Sequence, residues 1–246
     1  MRLLNPGFTD KKDFLVFCEV EDAALKLLER DLSKSKKELY YHSVGHTLSV
    51  LKHALKFGKA EGLESRKLLL LAVAALFHDT GYGDEYEKNE FWGAKRAKLV
   101  LPKYGFSSEE IETIKDIIMA TQLHADMKAR PRNHLESVMC DADLVNVGFP
   151  TKKYVEISEK LRKEFGVEDE VIWIESQLKF FDAHEFHTES ALKWGMKQKA
   201  RNRKFLEKRL KKLRKVREKA KEKEEKEGKE EEKAETEPAE KENLSN

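Results

Sequence analysis

Residues Leu68–Phe77 read LLLLAVAALF and run directly into His78-Asp79-Thr80-Gly81. A run that is apolar on every side predicts a helix buried all round. It is too short to span a bilayer, which takes about 20 residues. Such a helix needs amphipathic partners to cover it. At its end, His78 and Asp79 put two ionisable groups at the mouth of the core. Burying them without a partner costs roughly several kcal/mol, and a cation offsets the desolvation of the carboxylate.

Outward from this centre the periodicity is helical. Phe14, Phe17, Cys18, Ala24, Leu25, Leu28 and Leu32 recur at spacings of three and four behind an Asp10 or Thr9 cap. A second helix is predicted from Ser43 to about Gly62, with Val44, Leu48, Leu51 and Leu55 facing inward. Further helices are predicted near 88–103, 107–123 and 133–146; Ser107 followed by Glu110 is a capping-box pattern. Beyond Pro150, amphipathic segments lie near 151–165 and 168–183, and a last helix starts at Thr188. There is no strand-type alternation of useful length and no internal repeat, so the fold class is all-α.

Charged residues make up 38% of the chain, yet the net charge is only +2. The excess lies in the C-terminal part, so it describes that part more than the fold. Residues 1–197 read as one helical domain and 198–220 as a basic amphipathic helix. Residues 221–246 read as a charged low-complexity tail, disordered or a frayed helix, because almost nothing there is apolar. Cys18 and Cys140 make no disulfide framework and are expected as buried thiols. No signal-type apolar run follows Met1, which leads us to expect a cytoplasmic protein.

His46, His78, Asp79 and an acid from Asp141-Ala142-Asp143 supply imidazole and carboxylate donors, a set suited to a divalent ion. Asp141 and Asp143 are two apart on a helix and face different ways, so one of them ligates. With Leu144 and Val145 continuing the helix, Asp143 is expected to point inward from its middle. His42 stands four residues before His46, either inside the same helix or just ahead of its cap. P-loop, CxxC and GxSxG texts are absent, which excludes those chemistries.

The ordered texts YYHSVGHT (40–47), LAVAALFHDTGY (71–82) and VMCDADL (138–144) resemble the HD superfamily of metal-dependent phosphohydrolases. Asn89-Glu90 with the helix after it, Ile118-Met119-Ala120-Thr121, and the series Trp173, Gln177, Phe180, His184 and Thr188 resemble an uncharacterised bacterial and archaeal branch. The likeness spans roughly residues 36–200. It implies an HD-domain helical bundle and ligation of one divalent ion (Mn, Mg, Co, Fe, Ni or Zn) by His46, His78, Asp79 and Asp143, with Asp143 preferred to Asp141. It also matches His42 to the histidine that protonates the leaving oxygen in the cyclic-nucleotide phosphodiesterase branch. Related sequences often carry histidine where Asn89 stands, which lowers the expected metal count from two towards one.

Alongside that, the chemistry needs an acceptor for the proton of the attacking water, Asp79 or Glu90, and a donor to the departing alkoxide, His42 or His124. Lys95, Arg96, Lys98 and Arg132 are candidates to neutralise phosphate oxygens, and Gln122 to bind substrate. The expected partner is a phosphorylated small molecule, most readily a nucleotide mono- or diester; homo-oligomerisation is open. Two other readings are a catalytically silent metal-binding scaffold and a nucleic-acid-associated module that uses the basic helix.

Overall fold

The computed structural model describes residues 8–236. Among these residues every regular element is helical. The helices are α1 (Lys11–Leu32), α2 (Val44–Ala60), α3 (Ser65–Phe77), α4 (Asn89–Val100), α5 (Ser108–Met119), α6 (His134–Asp143), α7 (Thr151–Glu164), α8 (Glu170–Ala183) and α9 (Glu189–Thr236).

The apolar run forms α3, and every residue from Leu68 to Phe77 is buried. α1, α2, α4, α5 and α6 pack around it. Leu69, Leu71 and Leu76 are fully enclosed, and each contributes about 1.5–3 kcal/mol of transfer free energy relative to an exposed side chain. Local signals set the helix ends. Asp10 caps α1 by accepting from the Lys12 and Asp13 N–H groups, and Ser107 and Glu110 form the reciprocal capping box on α5. Gly62, just past α2, has φ 74°, a left-handed conformation open to glycine at no steric cost.

Three expectations need correction. α6 stops at Asp143, with Leu144 as its cap and a 3-10 turn over Val145–Gly148, so Asp143 lies at a helix end and not in its middle. The boundary at 197/198 is not a break: α9 runs through it without interruption, because Leu206 and Leu210 are buried in the core. The helix then continues to Thr236, mostly exposed over 211–229, so through Thr236 the segment is helical where a disordered or frayed tail was expected. The remainder of the expected tail, 237–246, lies outside the described residues. Cys140 is buried as expected, whereas Cys18 is only half-buried.

α9 is fastened by polar groups as well as apolar ones. The buried Asn202 donates to the carbonyls of Val147 (2.9 Å) and Phe149 (2.8 Å) and accepts from Thr151 Oγ1 (2.7 Å). At its start, Asp141 accepts from the backbone N–H groups of His187 and Thr188 (both 2.8 Å) and from the Thr188 hydroxyl (2.6 Å). Asp141 is thereby committed to holding α9.

Candidate metal centre

Three helix ends meet beside the core. Ser43 caps α2 by accepting from His46 N–H (3.4 Å), which leaves His42 just ahead of the cap and His46 in the first turn. His78 caps the end of α3, and Asp79 enters the turn after it. Asp143 comes from the end of α6.

The four side chains converge. His46 Nε2 and His78 Nε2 are 3.4 Å apart. Asp79 Oδ2 lies 3.3 Å from each of them. Asp143 Oδ1 lies 3.2 Å from His46 Nε2 and 3.4 Å from His78 Nε2. Donors bound at about 2.0–2.1 Å around one tetrahedral ion stand about 3.4 Å from each other. His78 Nδ1 sits 2.8 Å from the Ala75 carbonyl and donates to it, so Nε2 turns its lone pair to the centre.

Asp79 Oδ2 is buried and has no hydrogen-bond partner among the described residues. A buried carboxylate oxygen without a donor is costly unless a cation meets it. Burial pulls His78 down, but Asp79 and Asp143 outweigh it and raise the imidazole to about 9. Asp143 is held well below the carboxylate range: burial opposes this, and the bonds to His46 and His78 prevail. A field that stabilises a proton on the His78 ring also stabilises a cation beside it. The donor set, its spacing and the orphaned oxygen all fit a divalent ion, with His46, His78 and Asp79 as a compact buried group and Asp143 beside it.

Asn89 at the start of α4, with Gly93 in that helix and Gly81 in the turn after α3, holds the centre. Asn89 Nδ2 lies 3.2 Å from both Asp79 Oδ1 and the His78 carbonyl, and Asn89 Oδ1 accepts from Gly81 N–H at 3.0 Å. The amide thus steers Asp79 without offering a donor atom to the cluster. A Cβ at Gly81 would lie 2.0 Å from the Asn89 carbonyl oxygen, and one at Gly93 would lie 2.6 Å from that of Phe77. Only glycine lets the two segments approach so closely.

His42 lies against His46, with ring centroids 5.6 Å apart. Its Nδ1 is bonded to Glu164 Oε1, and Tyr86 donates to the same oxygen (3.0 Å). Glu164 Oε2 accepts from the backbone N–H groups of Tyr40 (2.9 Å), Tyr41 (2.8 Å) and His42 (3.2 Å). Burial lowers the His42 pKa, but the bond to Glu164 and the charges of Asp79, Glu164 and Asp143 raise it overall. Glu164 is itself lowered to about 2: burial opposes the shift, and the bond to His42 carries it. Sequence reasoning missed Glu164. Its faint signal is an acid three residues after Leu161 and seven after Ile157, on the apolar face of α7.

The other expected residues divide. Glu90 is half-buried in the first turn of α4, where burial and then the charges of Asp79 and Asp143 push its carboxyl up. Gln122 is half-buried just past α5, with its N–H on Met119. His124 is instead in an exposed turn, its N–H bonded to the Lys128 carbonyl. Lys95 lies over the Trp92 ring, and Lys98 pairs with Glu112. Arg96 is engaged by the buried Asp31 and by Asp84, both at 2.5 Å. Arg132 is drawn to Glu136 and Asp116. Buried or nearby carboxylates claim these guanidinium groups before a phosphate can. Gln177, in turn, accepts from the Tyr154 hydroxyl (3.1 Å).

These features define an all-α protein with a buried His/Asp centre suited to a divalent ion. Residues 44–147 match the family model of the HD domain. The matched stretch includes all four converging side chains, His46, His78, Asp79 and Asp143. A structural-genomics crystal structure from Lactobacillus plantarum has the same fold, with a TM-score of 0.59 at 16% identity over 81% of this chain and 97% of that one. The phosphodiesterase LmjPDEB1, solved in complex with IBMX, superposes with a TM-score of 0.56 at 16% identity over 85% of this chain and 90% of that one. At such identity the likeness is one of fold. No curated protein matches the sequence. No helix among the described residues is long and apolar enough to cross a membrane.

Proposed function

We propose that this protein hydrolyses a phosphate ester, a nucleotide mono- or diester being the favoured class, with one divalent ion held by His46, His78, Asp79 and Asp143. The observation that carries this reading is the buried, partnerless Asp79 Oδ2 facing two imidazole nitrogens at 3.3 Å. When bound, a divalent ion polarises the phosphoryl group and makes a water nucleophilic near neutral pH.

The chain's own residues supply the rest. Asn89 fixes the Asp79 carboxylate, so one oxygen stays turned to the centre. Glu164 holds His42 through Nδ1, which leaves Nε2 as the position that carries a proton to the leaving oxygen. Glu90, whose carboxyl is pushed up by burial and by the charges of Asp79 and Asp143, would accept a proton from the attacking water. Lys95, Arg96 and Arg132 are engaged by Trp92 and by carboxylates, and His124 stands in an exposed turn.

The test is elemental analysis of purified protein combined with a phosphoester panel of aryl phosphates, nucleoside monophosphates and cyclic nucleotides. We expect one equivalent of metal, turnover of at least one ester, and loss of both in Asp79→Ala. Stoichiometric metal with no turnover across the panel overturns the hydrolase reading in favour of a silent scaffold. The nucleic-acid reading gains no support, because Arg203, Arg209, Arg214 and Arg217 on α9 are paired with Asp182, Glu170, Glu175 and Asp169.

A further inference from the structure

The link from α8 to α9 buries an imidazole that the proposed reaction does not use. His184 is 4% exposed, and among the described residues neither Nδ1 nor Nε2 has a hydrogen-bond partner. Phe180 and Phe186 flank the ring, with centroids 5.8 and 4.8 Å away. Burial first, then the nearby Lys199 and His187, push His184 down to about 3. The ring is therefore neutral near pH 7, with one N–H donor and one lone pair to offer. Buried polar groups in native folds find partners, so an imidazole with both nitrogens unmet points to something that joins it.

The ring lines a narrow cleft with Leu144 on one side and the turn at Met127–Ala129 on another. Its free volume is about 40 Å³, enough for hydroxyl-sized groups and too little for an aromatic ring. Leu144 directly follows Asp143, and His187, also on the cleft, donates its N–H to Asp141 (2.8 Å), which ties the cleft to the end of α6 that carries Asp143. Across it, Met127 has φ 63°, held there by its N–H bond to the His124 carbonyl (2.8 Å). Lys128 Nζ lies 3.5 Å from Glu185, so the cation at the rim is already matched by a carboxylate.

We propose that this cleft is the subsite for an uncharged hydroxyl of the alcohol esterified to phosphate. The substrates are then phosphate esters of polyhydroxylated alcohols, the ribose of a nucleotide among them. Its place beside the reacting group rests on the phosphohydrolase reading; its chemistry does not. A neutral imidazole both donates to and accepts from a hydroxyl. A second phosphate would bring further negative charge to a cleft whose rim cation, Lys128, is already paired with Glu185.

The ring nitrogens of His184 can be followed by ¹⁵N NMR in the full-length protein titrated with ribose 5-phosphate, phenyl phosphate or inorganic phosphate. We expect ribose 5-phosphate alone to shift them. In metal-loaded protein, His184→Ala should raise KM for ribose 5-phosphate about tenfold, while kcat/KM for phenyl phosphate stays within about twofold; His184→Asn should recover part of the loss. Ring nitrogens unmoved by ribose 5-phosphate overturn the subsite, and so do equal losses on both esters. If His184→Ala does not fold, the wild-type titration still decides. A ring that shifts in a protein that hydrolyses neither ester overturns the hydrolase reading and leaves the subsite standing.

Discussion

Asp79 and Glu164 are both buried carboxylates, but they are satisfied in different ways. Glu164 is satisfied by the protein alone, with three backbone N–H groups, Tyr86 and His42 around it. Asp79 keeps one oxygen unmet. The first pattern is structural and positional, and the second calls for an ion. The Glu164 pKa is depressed to about 2 from 4.5. The carboxylate therefore adds stability that is fully present above about pH 4.5 and is lost as pH falls towards 2. Glu164→Gln should be less stable near neutral pH by on the order of 3 kcal/mol at most, and its melting temperature should converge with that of wild type in acid. The same variant loosens His42, so kcat should fall by roughly ten- to a hundredfold while metal content stays intact. Unchanged kcat would remove His42 from its role.

At the scale of elements, α3 and α9 carry the molecule in different ways. α3 is enclosed on all sides, so Leu71→Ala should cost about 2–5 kcal/mol, read as a lower denaturation midpoint. α9 depends on Asn202, whose amide meets two carbonyls that would otherwise be buried without donors. Asn202→Leu should cost about 2 kcal/mol or more despite its apolar side chain. A neutral result there would mean that water reaches Val147 and Phe149. Nearly every helix is legible from spacing and caps, because an amphipathic face and an N-cap are local properties. The end of α6 is not: Leu144 and Val145 continue the apolar pattern, yet the chain turns at Asp143 to bring its carboxylate to the centre.

Across the whole molecule, the charged segment divides at about residue 210. Up to that point α9 belongs to the core through Leu206 and Leu210, and beyond it the helix is mostly exposed. Truncation after Lys219 should leave metal content and melting temperature close to wild type. Truncation after Lys197 should destabilise the protein severely, because it removes Asn202, Leu206 and Leu210 together. Equal melting temperatures for the two truncations would show that α9 beyond Lys197 is dispensable.

The sequence by itself determined the all-α class and the buried helix, and it singled out His46, His78, Asp79 and Asp143, which the fold brings together. Periodicity, capping and donor chemistry are written in neighbouring residues, and the ordered HD texts add the site type. Only the tertiary structure decided the partners of those residues. Glu164 reaches His42 across 122 positions, Arg96 is taken by Asp31, and His184 ends beside Leu144. The physical reason is that satisfaction of a buried polar group is a long-range property. Which donor meets which acceptor follows from helix packing, and no spacing along the chain encodes it.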